Sequence, residues 1–306
     1  MTRWQGDKGV VLLNALVLVT ALTAIAAFLL ARSELARLRQ VEMQGAAQLR
    51  LYADAYESLA TALLERDRRA GSIDHLGESW AAPERAVSVD RGQVAGQLED
   101  LNGKFNINWL ADPEDAFAAD GFARLAQRVG LSTQKVTDLT DFLQANGEDN
   151  TFGGPVVDIA HLVFARGMTP SDVTRLAPYL SALPGDSQIN LNMVRPEVLQ
   201  ALIPDVGPSD AQRFDIRRRQ NPFPSTDEAL AALRTGAEPV TLTEEQVARF
   251  SVASTWFEVR ITASLDGRVL RRITRFERRA LPQPIRVLYR HTVPSGPLTQ
   301  GDTIWR

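Results

Sequence analysis

The stretch "DFLQANGEDNTFGGPVVD" at 141–158 gathers the carboxylates with the most chemistry to offer: Asp141, Glu148, Asp149 and Asp158. Carboxylate oxygens are hard ligands, and a calcium ion takes about six to eight of them. The spacing is not that of an EF-hand, and a solvated acidic loop accounts for the same residues. Calcium is the one candidate cofactor the residue types suggest. Other reactive groups are sparse. His75, His161 and His291 are far apart in sequence and lack metal-ligand spacing, there is no Cys, and neither a phosphate loop nor a G-x-S-x-G motif occurs. His161, in "VVDIAHLVF", reads as a packed helix histidine. These features give an enzyme little support, and the absence of Cys fits a cytoplasmic or a periplasmic chain equally.

The elements that would carry such groups begin with a membrane anchor. From Val10 to Ala31 there is no charge, and at about 1.5 Å rise per residue the run covers about 33 Å, enough to cross a hydrocarbon core. A secretory signal has a shorter apolar region followed by a small-residue cleavage site, and none follows here. After Ala31 the pattern stays helical, with Leu35, Leu38, Leu49, Tyr52, Ala53, Tyr56, Leu59, Ala60 and Leu63 at helix-like spacings. Anchor and soluble helix therefore read as one element, ended near Arg69 by the Gly71, Gly77 and Pro83 of "AGSIDHLGESWAAPE". Arg3 and Lys8 favour a cytoplasmic N-terminus, although Arg32, Arg37 and Arg39 follow the span.

Beyond the helix, "AVSVDRGQVAGQLEDLNGKFNIN" mixes alternation with turns at Asp90-Arg91-Gly92 and Asn102-Gly103, a strand or hairpin. Helices are expected near 114–129, 132–145, 158–166, 170–182, 195–203, 208–219 and 226–233. The period then switches to two in "FSVASTWFEVRITASL" and "RVLRRITRFERR", joined by Asp266-Gly267, with a third strand in "PIRVLYRH". Strands thus flank a helical block on both sides. The economical fold is α+β, with a long N-terminal helix packed on an antiparallel sheet and a large all-helical domain inserted in that sheet. The expected divisions are a leader at 1–9, a transmembrane segment at 10–31, the soluble part of the helix at 32–69, a sheet domain from 70–111 and 234–293, a helical insertion at 112–233, and a loose tail at 294–306. Trp109 and Trp256 are expected as core residues on strands.

The opening "GDKGVVLLNALVLV" resembles a type IV prepilin signal, in which a dedicated membrane peptidase cuts after Gly and methylates the new N-terminus. Gly9 and Val10 would flank that cut; an ordinary uncleaved signal anchor is the alternative. Most pilins and pseudopilins carry Glu five residues after the cut. Here that residue is Asn14, a departure that fits a subunit with no neighbour's terminus to neutralise, as at a filament tip.

"LEDLNGKFNINWL" (98–110), "LPGDSQINLNMVRPEVLQALIP" (183–204), "FPSTDEALAAL" (223–233) and "FSVASTWFEVRITASL" (250–265) together resemble the general secretion pathway protein K family, the minor pseudopilins of type II secretion. The resemblance implies a pilin-like fold with a helical insertion, single-pass placement in the bacterial inner membrane with a periplasmic head, and a non-catalytic role at the pseudopilus tip. It implies I- and J-type minor pseudopilins and the prepilin peptidase as partners. Relatives bind calcium through an acidic segment from which 141–158 departs. A minor pilin of a type IV pilus shares the N-terminal signal and is the near alternative.

A different function is suggested by "EVLQALIPDVGPSDAQRFDIRRRQNPFPS", which resembles a helix-hairpin-helix presenting backbone N–H groups to DNA phosphate, with Arg217-Arg218-Arg219 just beyond. Asp205 and Asp210 would repel phosphate, and a structural helix pair fits the same residues. The net charge of −3 gives no general attraction to nucleic acid. Alternation in "RVLRRITRFERR" puts Val269, Arg271, Ile273, Arg275 and Glu277 on one strand face and Leu270, Arg272, Thr274, Phe276 and Arg278 on the other, the pattern of a half-exposed strand.

Overall fold

Helix α1 runs unbroken from Asp7 to Ala70 in the computed structural model, which describes residues 7–145, 153–235 and 238–297. Its apolar first part meets no other element, and residues 10–44 are exposed. Further on, Leu49, Ala53, Tyr56, Ala60 and Leu64 recur every three or four residues and are all buried. Arg68 and Arg69 occupy the last turn, where cations suit the negative end of the helix. The same helix is therefore lipid-compatible at one end and core-forming at the other.

Strands β1 (Arg85–Val89) and β2 (Gly92–Asp100) form a hairpin in register Val89↔Gly92, so the turn anticipated at Asp90-Arg91 is present. A two-residue β3 (Phe105–Asn106) leads through a 3-10 turn at Ile107–Ala111 to helices α2 (Ala116–Arg128) and α3 (Thr133–Gln144). A second 3-10 segment, Ile159–Phe164, precedes α4 (Pro170–Leu176) and β4 (Leu180–Ser181). Then come β5 (Ile189–Asn190), α5 (Pro196–Leu202), α6 (Pro208–Gln220) and α7 (Thr226–Ala232). Short β6 (Arg234–Thr235), β7 (Glu238–Pro239), α8 (Glu244–Val247) and β8 (Phe250–Ser251) return the chain to the sheet. Long strands β9 (Trp256–Leu265), β10 (Arg268–Glu277) and β11 (Arg286–Pro297) complete it.

The main sheet has the order β1-β2-β9-β10-β11, antiparallel throughout, so a strand from before the helical block pairs with one from after it. The β9–β10 turn places Asp266 at φ 48° and Gly267 at φ 77°, the left-handed pair that a two-residue hairpin of matching twist requires. Val94, Leu98, Phe257, Val259, Ile261, Ala263, Leu265, Leu270 and Phe276 face α1 and close one core with its buried stripe. At Gly96 the sheet meets the helix: a Cβ there would come within 2.5 Å of the Tyr56 ring, whose hydroxyl donates to Gly96 O at 2.6 Å. The helical block has its own core, around Phe105, Phe122, Leu125, Leu139, Leu162, Leu199 and Phe214.

Several local expectations change. The helix expected over 170–182 ends at Leu176, because Pro178 cannot continue it and Leu180–Ser181 pairs in parallel with β3. The segment expected as a helix at 158–166 is a 3-10 turn. Trp109 lies in the 3-10 turn after β3 rather than on a strand, although it is buried at 2% exposure. Strand β11 continues through Pro297, past the expected tail boundary at 294. The strand β10, expected to be half exposed, is buried on both faces along most of its length, since α1 covers one side and the block contacts the other.

Candidate functional site

α1 is long and apolar enough to cross a membrane, and none of the spanning stretch is buried against the rest of the chain. Gly9 and Val10 both lie in α1, and Met1–Gly6 fall outside the described residues. Asn14 projects from the exposed part of the span.

Where α1 meets the sheet, ion pairs flank the apolar contact. Arg272 on β10 pairs with Asp54, and its Nη1 is 3.7 Å from Glu57. Glu57 also accepts from Thr274 Oγ1 at 2.8 Å and from Arg290 Nε at 2.9 Å. Burial pushes the Glu57 carboxyl up, but hydrogen bonds from Arg290 and Thr274 and the nearby guanidinium charges outweigh it and hold it below its usual range. At the far end of the helix, Arg278 donates to Asp67 at 2.7 Å, pairs with Asp74 and lies 4.5 Å over the Phe257 ring. Arg275, on the opposite face of β10, donates to Val157 O at 2.6 Å and Ala182 O at 3.2 Å and pairs with Glu258 at 3.1 Å. The C-terminal arginines are thus used within the chain, fastening the sheet to α1 on one side and to the helical block on the other.

A second set of ties comes from buried asparagines. Asn102 Oδ1 accepts from Trp256 N at 2.8 Å while its amide donates to Gln188 O at 2.6 Å. Asn108 accepts from Val156 N and donates to Val156 O and Leu183 O, all at 2.8 Å. Asn190 donates to Ser254 Oγ at 2.8 Å and Asp74 O at 3.1 Å, and Asn192 exchanges two bonds with the Phe223 backbone. Asn106 completes the group through Leu183 N, Pro184 O and Ser187 Oγ. An amide both donates and accepts, so one side chain can satisfy loop groups that no sheet or helix reaches. Asn106 with Asn108 and Asn190 with Asn192 are the N-x-N pairs of "NGKFNIN" and "INLN", and Asn102 opens the first stretch; the sequence displays them without revealing their role.

Asp100 lies inside this joint, accepting from Gly103 N at 2.9 Å and from Ser254 Oγ. Burial is the chief cause that pushes its carboxyl up to about 7. Asp74 is also raised, again by burial, against the pull of Arg278.

Among the described residues, the acids that converge are Asp67, Asp74 and Glu78, with oxygens within 4.8 Å of one another. Arg278 already occupies two of them. Glu78 is pushed up to about 7, mainly by burial, and accepts from Trp80 Nε1 at 2.7 Å. Of the calcium candidates, Asp141 is exposed on the last turn of α3, and Asp158 Oδ1 caps the following 3-10 turn by accepting from Ala160 N at 2.8 Å. Glu148 and Asp149 lie outside the described residues. The histidines are dispersed: His75 sits beside Glu78 at 3.7 Å, half-buried His161 against Phe164, and His291 stacked on Tyr289.

The α5–α6 hairpin has the expected shape, with Gly207 capping α6 and Pro208 opening it. Its charges are spent locally. Arg218 is 4% exposed and donates to Asp215 at 2.9 Å and to Leu191 O at 2.9 Å. Arg219 binds Asp215 at 2.7 Å, Arg213 binds Asp210, and Arg217 lies 5.1 Å over the Phe223 ring. The basic run is therefore no open phosphate face. Nearby, a cleft of about 590 Å³ lined by Trp80, Glu99, Lys104, Arg195, Glu197 and Arg260 is internally matched, with Lys104 Nζ 2.7 Å and Arg260 3.2 Å from Glu99.

Residues 103–185 match a family model described as type II secretion system (T2SS), protein K, and residues 189–249 match a second model of the same description. The chain is 29% identical over 255 residues to the type II secretion system protein K of Pseudomonas aeruginosa, covering 73% of this chain and 76% of that one. It is 27% identical over 308 residues to the Aeromonas hydrophila protein of the same name, covering 86% and 90%. A solved chain from the GspK-GspI-GspJ complex of the enterotoxigenic Escherichia coli type 2 secretion system superposes with a TM-score of 0.69, at 23% identity, over 83% of this chain and 99% of that one. At that identity the superposition speaks to the fold.

Proposed function

The chain belongs to the type II secretion system protein K family, and from that premise we propose that it is a minor pseudopilin that sits at the tip of the periplasmic pseudopilus and helps initiate its assembly for protein export. The observation that carries this reading is the continuity of α1, which joins an apolar span directly to a helix fixed against the sheet by Glu57 and Arg278. A rigid rod of this kind transmits the position of the anchor to the head. In this reading the prepilin peptidase cuts between Gly9 and Val10, the anchor stays in the inner membrane, and residues from Arg32 onward form the periplasmic head. The head is broad, because the helical block stands beside the sheet, and that shape suits a cap better than a repeating unit. Its partners are the I- and J-type minor pseudopilins, as the relative of solved structure was crystallised with two other components. Its work is assembly, and it carries no reaction of its own.

The test is co-purification. The full-length chain, tagged and expressed with the I- and J-type minor pseudopilins of its own system, should bring both down from solubilised membranes. Recovery of neither would overturn the tip assignment.

A further inference from the structure

Between α1 and β1, residues 71–84 form neither helix nor strand, yet the segment is tied down on both sides. Asp74 N donates to Val252 O at 2.9 Å, and Asp74 Oδ2 accepts from Ser254 N at 2.6 Å. Trp80 is 2% exposed, belongs to the core between α1 and the sheet, and stands edge-on to Phe257 with ring centroids 5.0 Å apart. Its Nε1 donates to Glu78 Oε2 at 2.7 Å, and His75 N donates to the same oxygen at 3.2 Å. Glu78 is thus the side chain that pins the tryptophan in place.

The charges around Glu78 do not balance. Asp74 and His75 face it from its own segment, Asp67 from the last turns of α1, and Arg278 reaches the group from just past β10. Asp100, at the end of β2, is linked to Asp74 through Ser254. Arg278 pairs with Asp67 and Asp74, which leaves Glu78, among the described residues, with only His75 Nε2 at 3.7 Å as a cationic partner. The side chains of Asp67, Asp74 and Glu78 are 11%, 2% and 13% exposed, so water screens them poorly, and three ionised carboxylates against one guanidinium repel one another. A proton supplies the missing positive charge at least cost. Both hydrogen bonds to Glu78 end on Oε2, so Oε1 can carry that proton with neither bond lost. Burial, aided by the charges of Asp67 and Asp74, pushes the Glu78 carboxyl up to about 7, and burial raises Asp74 as well.

We propose that residues 71–84 are a proton-operated strap: a proton held among Asp67, Asp74, His75 and Glu78 keeps the segment clamped with Trp80 in the core, and its release loosens the join between the anchor helix and the sheet. The closed strap holds the proton and the open strap, with Glu78 in water, gives it up from 4.5 upward, so closure is strongest in acid and weakens as pH rises to about 7. Leu76, Trp80 and Ala81 form part of the wall of the cleft of about 590 Å³, so loosening the strap also opens that cleft. The strap acts within one chain and does not depend on which assembly the head joins.

The experiment is hydrogen exchange of the detergent-solubilised full-length chain from pH 4.5 to 8, followed by mass spectrometry and corrected for the intrinsic pH dependence of exchange. Protection of amides in peptides covering 71–84 reads the closed-to-open ratio. In the wild type that protection should fall by up to about ten-fold per pH unit between 4.5 and about 7 and then level off, while peptides from α2 and β9 keep theirs. Glu78→Gln, which keeps an acceptor for Trp80 and cannot ionise, should remove most of the fall. Asp67→Asn leaves Glu78 in place but takes away a neighbouring negative charge, so the fall should move to lower pH. Asp100→Asn should leave the strap's curve as it is. Strap protection independent of pH in the wild type overturns the proposal, as does an unchanged fall in both Glu78→Gln and Asp67→Asn. Equal loss in the α2 and β9 peptides would show that the whole head opens, which also overturns it.

Discussion

Arg278, just past the end of β10, donates to Asp67 in the last turns of α1 at 2.7 Å, joining residues 211 apart in sequence. The same guanidinium pairs with Asp74 and is 8% exposed as a residue. One side chain therefore closes the last part of the sheet onto the helix that carries the anchor.

Replacing Arg278 with Met should be severe. Two carboxylates would be left in a poorly solvated joint, and removing one partner of a buried pair costs about 3–5 kcal/mol. Tryptophan fluorescence during urea unfolding of the detergent-solubilised chain would measure it. A change below about 1 kcal/mol would show that Asp67 and Asp74 are satisfied without the arginine.

The Asp100 carboxyl, raised to about 7 by burial from an ordinary value of 3.8, sets a pH dependence. Between those values the folded chain holds a proton that the unfolded chain has released. Stability should therefore fall as pH rises through that window, by up to about 1.4 kcal/mol per pH unit from this group alone. Asp100→Asn should flatten the slope. Unfolding midpoints at pH 5, 6, 7 and 8 for both proteins decide it, and equal slopes would contradict the assignment.

Asn108 ties the 3-10 turn after β3 to Val156 and Leu183. Asn108→Ala should destabilise the chain by about 2–4 kcal/mol, because buried backbone groups lose their partners. Thermal unfolding is a sufficient readout, and a loss under 0.5 kcal/mol would mean that water replaces the amide.

Arg217 and Arg219 should contribute no affinity for DNA. Duplex DNA at low salt, where phosphate contacts are strongest, should not be retained by the purified full chain. Salt-sensitive retention that Arg217→Gln and Arg219→Gln abolish would reopen the nucleic-acid reading.

Periodicity made the long elements legible. The unbroken helical pattern through Arg32 identified α1, and Asp266-Gly267 between alternating runs announced the β9–β10 hairpin because that turn needs left-handed residues at both positions. The two-residue strands were hidden, since β3 with β4 and β5 with β8 exist only through partners remote in sequence. Pro178 was the available signal that the helix after Thr169 stops early. The arginines of β10 show a further limit. Alternation placed Arg272 and Arg275 on opposite faces correctly, but it could not say that both faces are covered, because the covering carboxylates lie on α1 and β9.

The central claim is that this chain is processed and assembled as a pseudopilin, and intact-mass measurement of the N-terminus tests it most directly. Protein from cells with and without a prepilin peptidase would be compared. The account predicts a chain beginning at methylated Val10 only when the peptidase is present. A chain that keeps Met1 or Thr2 in both strains would contradict it.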